Sequence, residues 1–225
     1  MPQTSFRRAR RPEQKLERRT AILRAARELA VRSGVRNVSL GHIAAEVCLA
    51  KSNVVRYFGT REEIYLELTI QEMRDFAQDM HTRLAQASGL ENVTDALTEA
   101  LAQRELLCDL ISECATSLER NVSLDVARAF KLASIRAAGE VGADIARADP
   151  RLTEAEGLEL ASAAVLLAGV LYPLATPPPV IEQLYAQDPA IAATRPHFVP
   201  SLKRALMAMG TGLPAVREPA PSSPS

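Results

Sequence analysis

The chain has 225 residues, 47% of them hydrophobic and 24% charged, a balance that fits one or two compact domains and excludes a fibrous or low-complexity chain. Its formal net charge of zero conceals a division: residues 1–61 carry fourteen Lys and Arg against four Asp and Glu, a net of +10, and residues 62–225 carry a net of −10. Cys48, Cys108 and Cys114 are odd in number and lack C-x-x-C spacing, which argues against a disulfide framework or a zinc site. His42, His81 and His197 are too scattered to ligate a metal, so neither metal nor other cofactor is expected.

Residues 1–12 read as a basic arm, disordered in isolation. Its Arg7, Arg8, Arg10 and Arg11 are placed either to enter a minor groove or to serve as a solvated tail. The run RRARRPEQKLERR after Phe6 contains no apolar core of a secretory signal, so a cytoplasmic protein is expected. A first helix is predicted from Glu13 to Arg32, with Leu16, Ile22, Ala26 and Leu29 along one side and Gly34 ending it.

Residues 39–64, SLGHIAAEVCLAKSNVVRYFGTREEI, hold the most informative pattern. Leu40, Ile43, Ala44 and Val47 make one apolar stripe on a two-turn helix, and Ser39 precedes it as an N-cap. Cys48, Leu49 and Ala50 interrupt the period for the length of a helix-turn-helix connection, with Leu49 tucked inward. From Lys51 only Val54 and Phe58 face back, which leaves Lys51, Ser52, Asn53 and Arg56 on the opposite side. These groups suit phosphates and base edges: the asparagine amide can pair with adenine and the arginine fork with guanine. Gly59 is expected to stop the helix in the left-handed region, and Thr60 with Glu63 reads as a capping box that starts the next.

Ser39, Ile43, Ala44, Ala45, Lys51, Val54, Tyr57, Phe58, Arg61, Glu62 and Ile64 fall where the N-terminal signature of the TetR family of bacterial transcriptional regulators has matching residues, and over about 50 residues the chain resembles that family. The resemblance implies a helix-turn-helix domain over 13–60 in which Ser39, His42, Lys51, Ser52, Asn53, Val55, Arg56, Tyr57 and Arg61 face DNA. Two positions depart from the pattern. Cys48 stands in place of the turn glycine, which forces a side chain into a left-handed turn at a cost of about 1 kcal/mol or more. Val55 stands in place of a tyrosine that touches the DNA backbone.

Beyond Thr60 a long helix to about Ala87 carries the stripe Met73, Phe76, Ala77 and Met80, and a rigid rod here can transmit displacement to the reading end. Two further helices are predicted, 93–103 and 105–120, the second with Leu107, Leu110, Ile111, Cys114 and Leu118 inward. Cys108 and Cys114 read as buried free thiols. Another helix runs from Leu124 to Ala148 with Val126, Phe130, Ala133, Ala137 and Val141 on its stripe, and Pro150 lies beyond its end. Thr153 and Glu156 repeat the capping-box signature, opening a helix that includes ASAAVLLAGVLYPLA from Ala161 to Ala175. That run is too short and too rich in small residues for a bilayer span. Being apolar nearly all round it needs cover on several sides, and Ala161, Ala164, Ala168 and Gly169 would let a second copy approach.

Pro173 to Pro179 is read as a loop, followed by a short helix from Val180 to Ala186. The last helix, Val199 to Met209, spaces Leu202, Ala205, Leu206 and Met209 on one side, and residues 213–225 read as a disordered tail. With no strand-like alternation, the fold is expected to be all-α: a three-helix DNA-binding domain, then a larger helical domain over 61–212.

The pair of helices at about 154–172 and 199–209 is similar to the four-helix dimer interface of TetR-family proteins, an intrachain core being the other reading. The resemblance likewise implies a repressor released by a small molecule. Met73, Phe76, Met80, Leu107, Ile111, Cys114 and Phe130 are its candidate ligand-binding residues, and their apolar character suits a hydrophobic effector. A homodimer implies a pseudo-palindromic double-stranded operator. An enzyme is not expected, since neither a nucleophile elbow nor a Gly-rich phosphate loop is present. The rival readings are an all-helical adaptor and an activator without an effector.

Overall fold

The computed structural model describes residues 5–217, with side chains from residue 13 onward except that of Ala115. Every regular element among the described residues is helical, as the absence of period-two alternation requires. Helix α1 spans Ser5–Ser33, starting earlier than the predicted Glu13, so part of the expected arm is helix. The arginines proposed for the minor groove fall outside the described side chains. Ile22 and Ala26 are buried as expected, but Leu16 is 66% exposed and belongs to no core. Gly34 takes φ +81°, which lets its N–H reach Ala30 O at 2.7 Å and turn the chain into a short 3-10 turn, Val35–Asn37.

Helices α2 (Leu40–Glu46) and α3 (Lys51–Val55) complete the N-terminal bundle against α1. Helix α4 (Arg61–Leu84) starts in this bundle and continues into the C-terminal domain with Met73, Phe76, Ala77 and Met80 all buried. The domain is completed by α5 (Gly89–Ala102), α6 (Glu105–Glu113), α7 (Leu124–Ala148), α8 (Glu154–Ala175), α9 (Pro179–Gln187), α10 (Pro189–Ala192) and α11 (Phe198–Gly212). The predicted single helix 105–120 is broken: after α6 the backbone widens into a π-helical turn, Cys114–Leu118. Such turns insert a residue into the helical period and recur at functional sites. Cys108 and Cys114 are buried free thiols, as expected.

Helix α8 packs against α7, α6, α11 and α5. By length and composition it could cross a membrane, more than was expected from the segment 161–175. Its start is held by the reciprocal Thr153 and Glu156 box, as predicted. Contrary to expectation it runs through Pro173 and ends only at Ala175; the proline has no N–H for the Gly169 carbonyl, and the helix stops within a turn of it. The small residues thought to admit a second copy are spent inside the chain. Ala161, Ala164 and Ala168 are buried, and a Cβ on Gly169 would fall 2.5 Å from Ile111 Cγ2 of α6. Leu202 and Leu206 of α11 are likewise buried within the chain. What α8 leaves outside is a different stripe, Leu166, Val170 and Leu174 at 64%, 61% and 52% exposure.

The α7–α8 crossing is closer still. A Cβ on Gly157 would lie 2.2 Å from Gly142 O, and one on Gly142 would lie 2.6 Å from the Leu158 nitrogen. Two facing glycines let the backbones touch, a requirement that neither helix's own periodicity shows.

Candidate nucleic-acid interface and cavity

The N-terminus of α2 is closed by a reciprocal box. Ser39 Oγ accepts from His42 N and His42 Nδ1 accepts from Ser39 N, each at 3.2 Å. With Nδ1 accepting, a neutral His42 ring carries its proton on Nε2. At the other end Leu49 N donates to Ala44 O at 2.9 Å and Cys48 N to Ala45 O at 3.1 Å, the paired bonds of a Schellman ending. That motif places Cys48 in the left-handed region, and its φ is +51°. It is the only positive-φ residue other than glycine among the described residues, so the strain anticipated at this turn is present.

Helix α3 then buries Val54 and Phe58 and exposes Lys51, Ser52, Asn53, Val55 and Arg56, with Tyr57 half-buried. Lys51, Ser52, Asn53 and Arg56 therefore form one polar surface, with the apolar Val55 beside them. Arg61 departs from expectation. Its guanidinium donates inward to Val35 O and Val38 O, pairs with Glu62 and stacks over the Tyr65 ring, so it braces the loop before α2. Arg19 plays a similar part beneath α3. It lies 4.0 Å over the Phe58 ring, donates to Tyr57 O at 2.5 Å and pairs with Glu67. Arg27 pairs with Glu72 and Arg32 with Glu46. The positive excess is thus partly consumed internally. Among the described residues up to 61, the cations without an acidic partner are Lys15, Arg18, Arg24, Arg36, Lys51 and Arg56.

Gly59 keeps a negative φ, against expectation; its value is room, because a Cβ there would lie 3.0 Å from the Glu63 carboxylate. Thr60 Oγ1 accepts from Glu63 N as a cap, but the Glu63 carboxylate does not close the box. It accepts instead from Gly59 N at 2.9 Å and from Ser123 N at 3.2 Å. Thr60 Oγ1 also donates to Asn121 O at 3.0 Å. The segment after the π-helical turn is therefore tied to the end of the reading motif. A second tie joins α6 to the 3-10 turn: Asp109 Oδ2 accepts from Val35 N at 2.7 Å. Burial raises the Asp109 carboxyl above its ordinary pKa, opposed by that hydrogen bond.

On the other side of the same segment lies a cavity of about 500 Å³, walled by α4, α6, the π-helical turn, α7 and α8 and open to solvent beside the exposed Ile135 and Leu166. Five of the seven predicted ligand residues line it: Met73, Phe76, Ile111, Cys114 and Phe130. Met80 and Leu107 do not, being fully buried in the core. Sequence reasoning missed Glu119, Lys131, Ser134, Val141, Ala161, Ser162 and Val165. Their periodicity could have marked the α7 and α8 faces as inward, but not that a space lies between them. Burial pushes the Cys114 thiol up to about 12, so the thiol is uncharged at neutral pH.

Residues 22–68 match the family described as bacterial regulatory proteins, tetR family. Residues 70–217 match the family described as tetracyclin repressor-like, C-terminal domain. No curated protein matches the sequence. Among solved structures, a candidate transcriptional regulator from Rhodococcus sp. RHA1 superposes with a TM-score of 0.59 at 15% identity, over 88% of this chain and 95% of that one. Thermus thermophilus FadR, a TetR-family repressor solved with lauroyl-CoA, gives 0.56 at 17% identity over 92% and 99%. A TetR/AcrR-family regulator from Thermobifida fusca gives 0.51 at 16% over 88% and 98%. At these identities the likeness is one of fold.

Proposed function

Since the chain belongs to the TetR family of bacterial transcriptional regulators, we propose that it works as a homodimeric repressor that leaves its operator when a small molecule fills the cavity beside the π-helical turn. The observation that carries the reading is the surface of α3. Lys51, Ser52, Asn53 and Arg56 point away from a helix anchored by Val54 and Phe58, the arrangement a recognition helix needs to reach base edges and phosphates. Ser39, His42, Val55 and Tyr57 flank that surface, and Arg61 acts from behind it as a brace.

Dimerisation is supported by the outward row of Leu166, Val170 and Leu174 on α8, since an exposed apolar row on a helix whose other side packs into its own domain marks an association surface; Leu166 also borders the cavity. Two-fold pairing calls for a pseudo-palindromic operator. Release by a ligand requires that the ligand prefer one conformer over the other. The two ties from α6 and from residues 121–123 to the reading domain are the contacts through which such a preference acts. An effector role for the cavity is supported by its apolar lining and by the ligand held in the Thermus protein.

The decisive experiment measures binding to DNA over a range of salt. With about six phosphates neutralised, log K should fall against log salt with a slope near −5. A slope near zero removes the DNA-binding role.

A further inference from the structure

Resting on the reading of the cavity as an effector site, we infer that its ligand is an amphipathic cation, whose positive head replaces the Lys131 ammonium against Glu119 and the Phe130 ring. Two charged residues line the cavity, and they face each other. Lys131 Nζ lies 2.6 Å from Glu119 Oε2 and 5.3 Å from the Phe130 ring centroid. A carboxylate beside an aromatic face is a cation niche, and in this structure the protein's own lysine fills it. The remaining wall is mostly apolar, Ser134 and Ser162 apart, with Met73, Phe76, Val141 and Val165 offering surface for a hydrocarbon body. Ser134 lends little polarity, because its hydroxyl already donates to Phe130 O at 2.9 Å.

The sign of the ligand follows from which partner yields. The Lys131 side chain is 58% exposed and Glu119 29%. Lysine sits on a flexible four-carbon stem and regains hydration by swinging outward. Glu119 starts from a more enclosed place, so an incoming anion would meet a carboxylate that cannot easily withdraw. The surrounding domain agrees, since residues 62–225 carry a net −10 and such a field concentrates cations. Exchange at Glu119 also bears on regulation. Glu119 lies between the π-helical turn and the residues Asn121 and Ser123 that hold Thr60 and Glu63, and its pairing with Lys131 clips that segment to α7.

The test uses the full-length protein and three probes with the same twelve-carbon chain, dodecylammonium, dodecanol and dodecanoate, titrated calorimetrically below their micelle-forming concentrations. Dodecylammonium should bind about tenfold more tightly than either of the others, the worth of one charge-assisted contact less that of the exposed Lys131 pair it displaces. Glu119→Gln should abolish that preference, read as the ratio of dodecylammonium to dodecanol affinity. Lys131→Met should tighten dodecylammonium several-fold by removing the internal competitor. Tightest binding of dodecanoate, weakened by Lys131→Met, overturns the inference, as does a cation preference that survives Glu119→Gln. Equal binding of all three probes leaves the cavity a ligand site and overturns only the choice of a cation. Binding of none overturns the effector reading as well.

Discussion

Replacing Gly157 by alanine tests the closest packing in the molecule. The added Cβ would lie 2.2 Å from Gly142 O, whereas ordinary contact begins near 3.4 Å, so α7 and α8 must part by roughly 1 Å. Neither obstacle is a side chain that can rotate away. A gap of that size forfeits about a quarter to a half of each dispersion contact it opens. It would open between α7 and α8, whose buried residues include Val141 and Ile145 on the one and Ala161 and Ala164 on the other. Overpacking of this kind costs about 1–3 kcal/mol, here at the upper end, and alanine's better helix propensity returns about 1 kcal/mol. The expected net loss is about 2 kcal/mol. In a chain of this size that lowers Tm by about 4–8 °C, to be read by calorimetry at matched protein concentration because association would add to stability. Gly139 is the control. It lies on α7 with nothing within 4 Å of the place a methyl group would take, so Gly139→Ala should raise Tm by about 2–4 °C through propensity alone. Gly157→Ala melting at or above the parent, with Gly139→Ala behaving as expected, would refute the close crossing.

Cys48→Gly relieves a left-handed side chain at φ +51° and should raise stability by about 1 kcal/mol, seen as a shift of the urea midpoint at constant m; no gain would mean that the turn tolerates its Cβ. Asn53→Ala and Arg56→Ala should each weaken operator binding by about 1–3 kcal/mol if they read bases, and operator affinity unchanged in the double variant would remove both from the interface. A uniform loss on all DNA sequences would assign them to phosphates. Arg217 donates to Glu156 at 2.9 and 2.7 Å, and this pairing, with Thr153, holds the Glu156 carboxyl at about 2, below its ordinary 4.5. The folded value is the lower one, so the stability it contributes is present above pH 4.5 and lost as pH falls through about 2. Glu156→Gln should therefore flatten the acid limb of the Tm profile over that interval, and an unchanged limb would show that the pair does not couple to folding.

The features legible in the chain are those set within one or two turns of helix. The Thr153 and Glu156 box, the limits of α7 and the strain at Cys48 each depend on residues at most six apart, so their patterns carry their geometry. The polar face of α3 was legible for the same reason: burying Val54 and Phe58 leaves Lys51, Ser52, Asn53 and Arg56 outside. Arg61 was misread because its partners, the carbonyls of Val35 and Val38, lie more than twenty residues away.

By itself the sequence determined an all-helical chain, a basic reading motif and which side of most helices is apolar, because helical periodicity defines a direction about each helix axis. Only the tertiary structure decided what stands in that direction. It set Gly169 of α8 against Ile111, buried Ala161, Ala164 and Ala168 within the chain, and left Leu166, Val170 and Leu174 outside. It set Gly142 against Gly157, and Glu119 against Lys131 in the wall of a cavity. A stripe of apolar residues states that something must cover it; whether the cover is the same chain, a second chain or a ligand depends on distances between helices that no single helix encodes.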